Sequence, residues 1–128
     1  TWVTVMAGTD KEVIHNVCST LHANNRKAML DVRDTASAGQ SALEAKSLGI
    51  DAILFQAPYE LDNPVNFIDK WDMLRGNTQL PIYISTKITR ENIHKIIEFQ
   101  PAGIIVGQAI TGAQDPAAEA EFFKNLCD

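Results

Sequence analysis

The stretch Gly103-Ile104-Ile105-Val106-Gly107-Gln108-Ala109-Ile110-Thr111-Gly112-Ala113-Gln114-Asp115-Pro116-Ala117-Ala118 decides how the chain is read. Three β-branched residues between two glycines predict a short buried strand. Asp115-Pro116 reads as an N-cap followed by a first helical residue, and Phe122, Phe123 and Leu126 give that helix its buried side. Strand, loop and helix make one βα unit. Moving outward, the same unit recurs toward the N-terminus. Pro81-Ile82-Tyr83-Ile84 precedes a helix capped by Thr89 and carrying Ile93, Ile96 and Ile97. Ala52-Ile53-Leu54-Phe55 precedes a loop punctuated by Pro58. A helix follows with Asn63 as N-cap and Pro64 at its first position, Val65, Ile68, Trp71 and Met73 inward, and Gly76 at its end. Ala28-Met29-Leu30-Asp31-Val32 precedes an Ala-rich helix over about 37–48 that stops at Gly49. Val3-Thr4-Val5-Met6 precedes a helix capped by Thr9 or Asp10, with Val13, Ile14, Val17 and Leu21 as one buried stripe.

Five strands in strict alternation with five helices predict an α/β fold with parallel strands, because adjacent parallel strands need a crossover helix. Two architectures have this pattern: a five-stranded doubly wound sheet, or five units of a (β/α)8 barrel left open along one edge. No linker divides residues 1–128, which read as one domain. In either architecture, function sits at the carboxyl ends of the strands. The loops to inspect are therefore 8–10, 33–37, 56–62, 85–89 and 107–115.

At 128 residues, 45% hydrophobic and 21% charged, the chain is ordinary globular material. Its apolar runs fall far short of the roughly 20 residues of a spanning helix, so no membrane protein is expected. A net charge of −5 argues against a nucleic-acid binder. Cys18 and Cys127 form no short-spaced pair and read as free thiols in a reducing cytoplasm. Thr1-Trp2-Val3 opens straight into a strand, without the basic start of a signal peptide.

Asp31 is the best candidate for chemistry. A carboxylate inside an apolar strand is costly unless it is paired, hydrated or metal-bound. It is a proton-handling or magnesium-linked group facing a cavity, or a strand-end Asp tied to a neighbouring loop or to Arg33. Gly107 to Thr111 lets backbone N–H groups surround a phosphate, or makes a plain βα turn. Ser85, Thr86 and Lys87 add donors to the same phosphate, or merely begin the next helix. Arg33 and Asp34 follow the second strand and face the same mouth, or pair at the surface. His15, His22 and His94 fall on helices and form no ligand set.

The closing stretch 103–118 resembles the final strand, phosphate loop and last helix of 3-hexulose-6-phosphate synthases and, more loosely, 3-keto-L-gulonate-6-phosphate decarboxylases. Both are orotidine-monophosphate-decarboxylase-like barrels. Trp2-Val-Thr-Val5-Met-Ala-Gly-Thr-Asp10 is similar to their fourth strand, Ala28-Met-Leu-Asp31-Val to their fifth with its active-site carboxylate, and Leu48-Gly-Ile-Asp51 to the approach to the sixth. The resemblance covers the whole chain and implies strands four to eight of a barrel, a partial barrel forming the C-terminal part of a larger one. It implies a carbon–carbon lyase, an aldehyde-lyase or carboxy-lyase, in which Mg²⁺ assists enediolate formation from a ketopentose phosphate. It also implies a cytoplasmic homodimer. In these terms Asp31 and Gln56 are catalytic, Asp31 is also a metal ligand, and Ser85, Thr86, Gly107, Gln108 and Ala109 hold phosphate.

The chain also departs from the family's pattern. Nothing matches the family's Asp-x-Lys-x-x-Asp motif. Gln56-Ala57-Pro58 stands for His-x-Gly, Ser85-Thr86 for Gly-Gly, and Gly107-Gln108 for Gly-Arg. Glutamine does not shuttle protons near neutral pH, and Gln56 alternatively ties down the Pro58 turn. The alternative function is therefore a non-catalytic sugar-phosphate-binding or structural homologue. A receiver-like signalling domain also has this length, but its third strand needs a terminal Asp where Phe55-Gln56-Ala57 stands.

Overall fold

The computed structural model describes residues 1–33, 35 and 37–127. Its elements run β1 (Trp2–Met6), α1 (Lys11–Ala23), β2 (Lys27–Asp31), α2 (Ala38–Leu48), β3 (Ala52–Phe55), α3 (Val65–Asn77), β4 (Ile82–Ile84), α4 (Ile93–Ile97), β5 (Gly103–Ile104), α5 (Gln108–Thr111) and α6 (Pro116–Cys127). All neighbouring strands are parallel, and their order in the sheet is β1-β2-β3-β4-β5. This order decides the architecture. Right-handed crossovers that always step to the next strand put every helix on the same face. The other face is left as the inner wall of a barrel. A doubly wound sheet reverses direction at a switch point, and a receiver has order 2-1-3-4-5; neither occurs here.

Strand parity separates the two faces. Ala28, Leu30, Val32, Ile53, Phe55, Ile82 and Ile84 belong to the large core beneath the helices. Met29, Ala52 and Leu54 pack with Tyr83 on the inner face. That face is concave enough to bring the Trp2 ring, on β1, to 5.9 Å from the Tyr83 ring, on β4. Gly103, which pairs with Tyr83, leaves room for that ring: a Cβ there would stand 2.7 Å from Tyr83 Cε1.

The helix ends follow local chemistry. The Asp10 side chain accepts from the Glu12 N–H at 2.9 Å and caps α1. Ser37 caps α2, and Gly49 closes it at φ +98°, a left-handed conformation that disfavours any Cβ. Thr89 and Asn92 exchange side-chain and backbone hydrogen bonds ahead of α4. Asp115 accepts from the Ala118 N–H and starts α6.

Several expected inward residues differ. In α1, Ile14 and Cys18 are buried, while Val13 is 48% exposed. The cause is position: β1 is the sheet edge, so α1 has a neighbouring helix on one flank only. In α3, Phe67, Trp71 and Leu74 are buried, whereas Val65 and Met73 are exposed. Pro64, not Asn63, is the N-cap, and the helix turns so that Phe67 and Trp71 meet Phe55, with Phe99 against both. The last strand ends at Ile104, and the short helix α5 adds a sixth helix to the expected five.

Candidate functional site

Asp31 ends β2 on the concave face, with its side chain 2% exposed. Both of its oxygens have partners. Oδ1 accepts the backbone N–H of Arg33 at 2.9 Å. Oδ2 accepts from Gln56 Nε2 at 2.8 Å and lies 3.3 Å from Arg33 Nη2. Arg33 Nη1 also reaches Gln56 Oε1 at 3.5 Å. The three side chains thus close a ring in which the Gln56 amide turns its NH2 to the carboxylate and its oxygen to the guanidinium. Sequence reasoning named Arg33 as a partner of Asp31. It read Gln56 as catalytic or as tying down the Pro58 turn, and did not foresee that its amide donates to Asp31. Asp34 lies outside the described residues.

Arg33 and Gln56 also border a cavity of about 310 Å³ between the ends of β2 and β3 and helices α2 and α3. Lys70 and Thr35 line it too. The sequence carried no sign of Lys70, because only the packing of α3 brings it to this end of the sheet.

The second feature is a cleft of about 610 Å³ at the carboxyl ends of β4 and β5. Ser85, Thr86, Gly107, Gln108 and Ala109 all line it, together with Lys87, Ile88, Thr89 and Ile105. Two loops far apart in sequence therefore line one cleft. Thr86 Oγ1 accepts the Tyr59 N–H at 3.3 Å, tying this loop to the one after β3. Arg90 donates to both oxygens of Glu119, through Nε at 3.0 and 3.2 Å and Nη2 at 2.6 Å. Its guanidinium also lies 3.9 Å from the Phe122 ring centroid. These contacts fasten the cleft's first loop to α6. Lys87 makes no ion pair among the described residues. Among the described residues nothing lies within 4 Å of a Cβ built on Gly107, so its missing side chain leaves open space.

The residues present do not fit a divalent metal at Asp31. Magnesium requires octahedral oxygen ligands at about 2.0–2.1 Å. Here both carboxylate oxygens face hydrogen-bond donors, one of them a cation. Among the described residues no group of three His, Cys, Asp or Glu is arranged to hold an ion. His15, His22 and His94 are exposed on helices. No helix among the described residues is long and apolar enough to cross a membrane.

No family model matches the chain. It is 25% identical over 126 residues to a 3-hexulose-6-phosphate synthase of Bacillus subtilis (strain 168), covering 97% of this chain and 60% of that protein. In structure it is similar to the 3-hexulose-6-phosphate synthase of Salmonella typhimurium, with a TM-score of 0.81 and 21% identity over 98% of this chain and 60% of that one. It is also similar to the 3-keto-L-gulonate-6-phosphate decarboxylase of Vibrio cholerae, with a TM-score of 0.59 and 18% identity over 95% of this chain and 61% of that one. The chain thus spans about 60% of the length of the relatives it matches. The family resemblance read from residues 103–118 extends along the whole chain, and the fold is that of a partial barrel.

Proposed function

We propose that this chain is the C-terminal, phosphate-holding part of a sugar-phosphate lyase barrel similar to 3-hexulose-6-phosphate synthase. The observation that carries the reading is the cleft formed jointly by Ser85, Thr86, Gly107, Gln108 and Ala109 at the strands' carboxyl ends. Barrel enzymes commonly hold phosphate at the loops after their last two strands, beside a short extra helix. Here α5 is such a helix. Ser85 and Thr86 supply hydroxyl donors, Lys87 an ammonium, and the loop at Gly107–Ala109 backbone N–H groups. The sugar's reacting end points toward Asp31 and Gln56. With this reading go a ketopentose phosphate as ligand, a homodimer and a cytoplasmic location.

A second reading is binding without turnover. It is favoured by the Asp31 carboxylate being locked by Arg33 and Gln56, and by Gln56 having no proton to exchange near neutral pH. Amide chemical shifts of the isotope-labelled chain test both readings against a ketopentose phosphate and its unphosphorylated sugar. Saturable shifts over 85–89 and 107–109 with the phosphate only are expected. Equal shifts with both sugars, or none there, would remove the phosphate reading. Formation of a carbon–carbon bond with formaldehyde separates lyase from binder.

A further inference from the structure

The ring of Asp31, Gln56 and Arg33 lies apart from the phosphate cleft and holds an arrangement that the lyase reading does not require. Asp31 is a buried acid whose two oxygens each face a partner: Oδ1 accepts a backbone N–H, and Oδ2 accepts an amide N–H and pairs with a guanidinium. No buried side-chain polar atom among the described residues lacks a partner. A divalent cation at Oδ2 would have to displace the Gln56 amide, and at either oxygen it would sit near the positive charge of Arg33. The guanidinium is well placed to stay. Its Nη2 faces Oδ2, its Nη1 faces the Gln56 oxygen, and its planar fork satisfies both at once. It is also 58% exposed, so its remaining N–H groups open toward the cavity shared with Lys70 and Thr35.

From this geometry we infer that Arg33 is the resident cation of the Asp31 site: it takes the place beside Asp31 that a divalent metal would occupy, and Asp31 is not a metal ligand. Arg33 thereby fixes the Gln56 amide and offers its free N–H groups to an oxygen of whatever ligand enters the mouth. Its role is that of a positioning residue with donors to spare. Since it concerns Asp31 alone, it stands whether or not the cleft takes a phosphate.

Mn²⁺ reports on this directly, because its unpaired electrons erase the amide signals of residues close to it. In the labelled wild-type chain, the signals of Asp31, Val32, Arg33 and Gln56 are expected to survive a Mn²⁺ titration. In Arg33→Gln, which removes the charge, saturable loss centred on Asp31 is expected, with binding tightened by about tenfold or more as the repulsion disappears. Arg33→Lys, which restores a cation, should protect the signals again. Saturable loss centred on Asp31 in the wild type would overturn the inference, as would an Arg33→Gln chain as indifferent to Mn²⁺ as the wild type. If Arg33→Gln does not fold, the wild-type titration decides alone.

Discussion

At the scale of single residues, two glycines near the sheet differ in what a methyl group would touch. Nothing lies within 4 Å of a Cβ built on Gly107, which borders the cleft. Gly107→Ala should therefore unfold at the same denaturant concentration as the wild type. It should lose sugar-phosphate affinity by roughly tenfold, since one added carbon in a binding site changes discrimination on that order. Calorimetric titration beside urea unfolding separates the two effects, and undiminished affinity would show that no ligand group fills that space. At Gly103 the order reverses. A Cβ there would press on a Tyr83 ring already held against Trp2. Gly103→Ala should cost about 1–3 kcal/mol of stability, the usual penalty for overpacking. The sequence made Asp31 legible, because a carboxylate among Ala28, Met29, Leu30 and Val32 needs an explanation. Its bond to Gln56 was not legible, because the two residues come from different strands and only the register of β2 with β3 brings them together.

At the scale of elements, what was legible is what is local. Ser37 starts α2 with its hydroxyl, Gly49 ends it by lacking a side chain, and Asp115-Pro116 starts α6. Burial along α1 and α3 was less legible, because it depends on neighbours that periodicity does not name. Gly49 also sits where α2 meets α1: a Cβ there would lie 2.9 Å from Cys18 Cβ, in a left-handed conformation. Gly49→Ala should destabilise the chain by more than about 1 kcal/mol, strain and contact adding together. Nearby, Asp51 links α1 to β2. Its Oδ2 accepts the Ala28 N–H at 2.8 Å and lies 2.9 Å from His22 Nε2. Burial pushes this carboxyl up, but the Ala28 N–H and the His22 ring outweigh it, and Asp51 ends below its ordinary range. A carboxyl more acidic in the folded chain than in the unfolded one stabilises the fold above the unfolded value. That contribution fades as pH falls through the folded value. The stability difference between wild type and Asp51→Asn should therefore be full near neutral pH and shrink below about pH 4, the ordinary aspartate range. Urea unfolding at both pH values measures it, and a difference that grew in acid would contradict the assignment.

At the scale of the whole molecule, the alternation of strands and helices was legible from periodicity, whereas the strand order was legible only through the family resemblance. Five βα units of this length suit a doubly wound sheet as well as part of a barrel. The choice depends on crossover direction, which no local residue encodes. The consecutive order has a physical cost. Among the described residues β1 and β5 are the edges of the sheet, which a complete barrel would pair, and the concave face has no opposite wall. Exposed apolar side chains occur on or beside these strands in the chain: Trp2 and Val3 in β1, Val13 on the helix after it and Ile105 just past β5 are each about two-fifths to one-half exposed. Water is a poor partner for such a surface, and paired strands are a better one. The 14.1 kDa chain should therefore associate. Light scattering on the eluting protein should give a mass above the monomer's that rises with concentration. Val3→Lys with Val13→Lys should shift the population toward monomer while leaving the unfolding midpoint nearly unchanged, since neither side chain is buried in the core. A monomer at every concentration would mean that the edges are protected by their own twist and charge, and the association argument would fall.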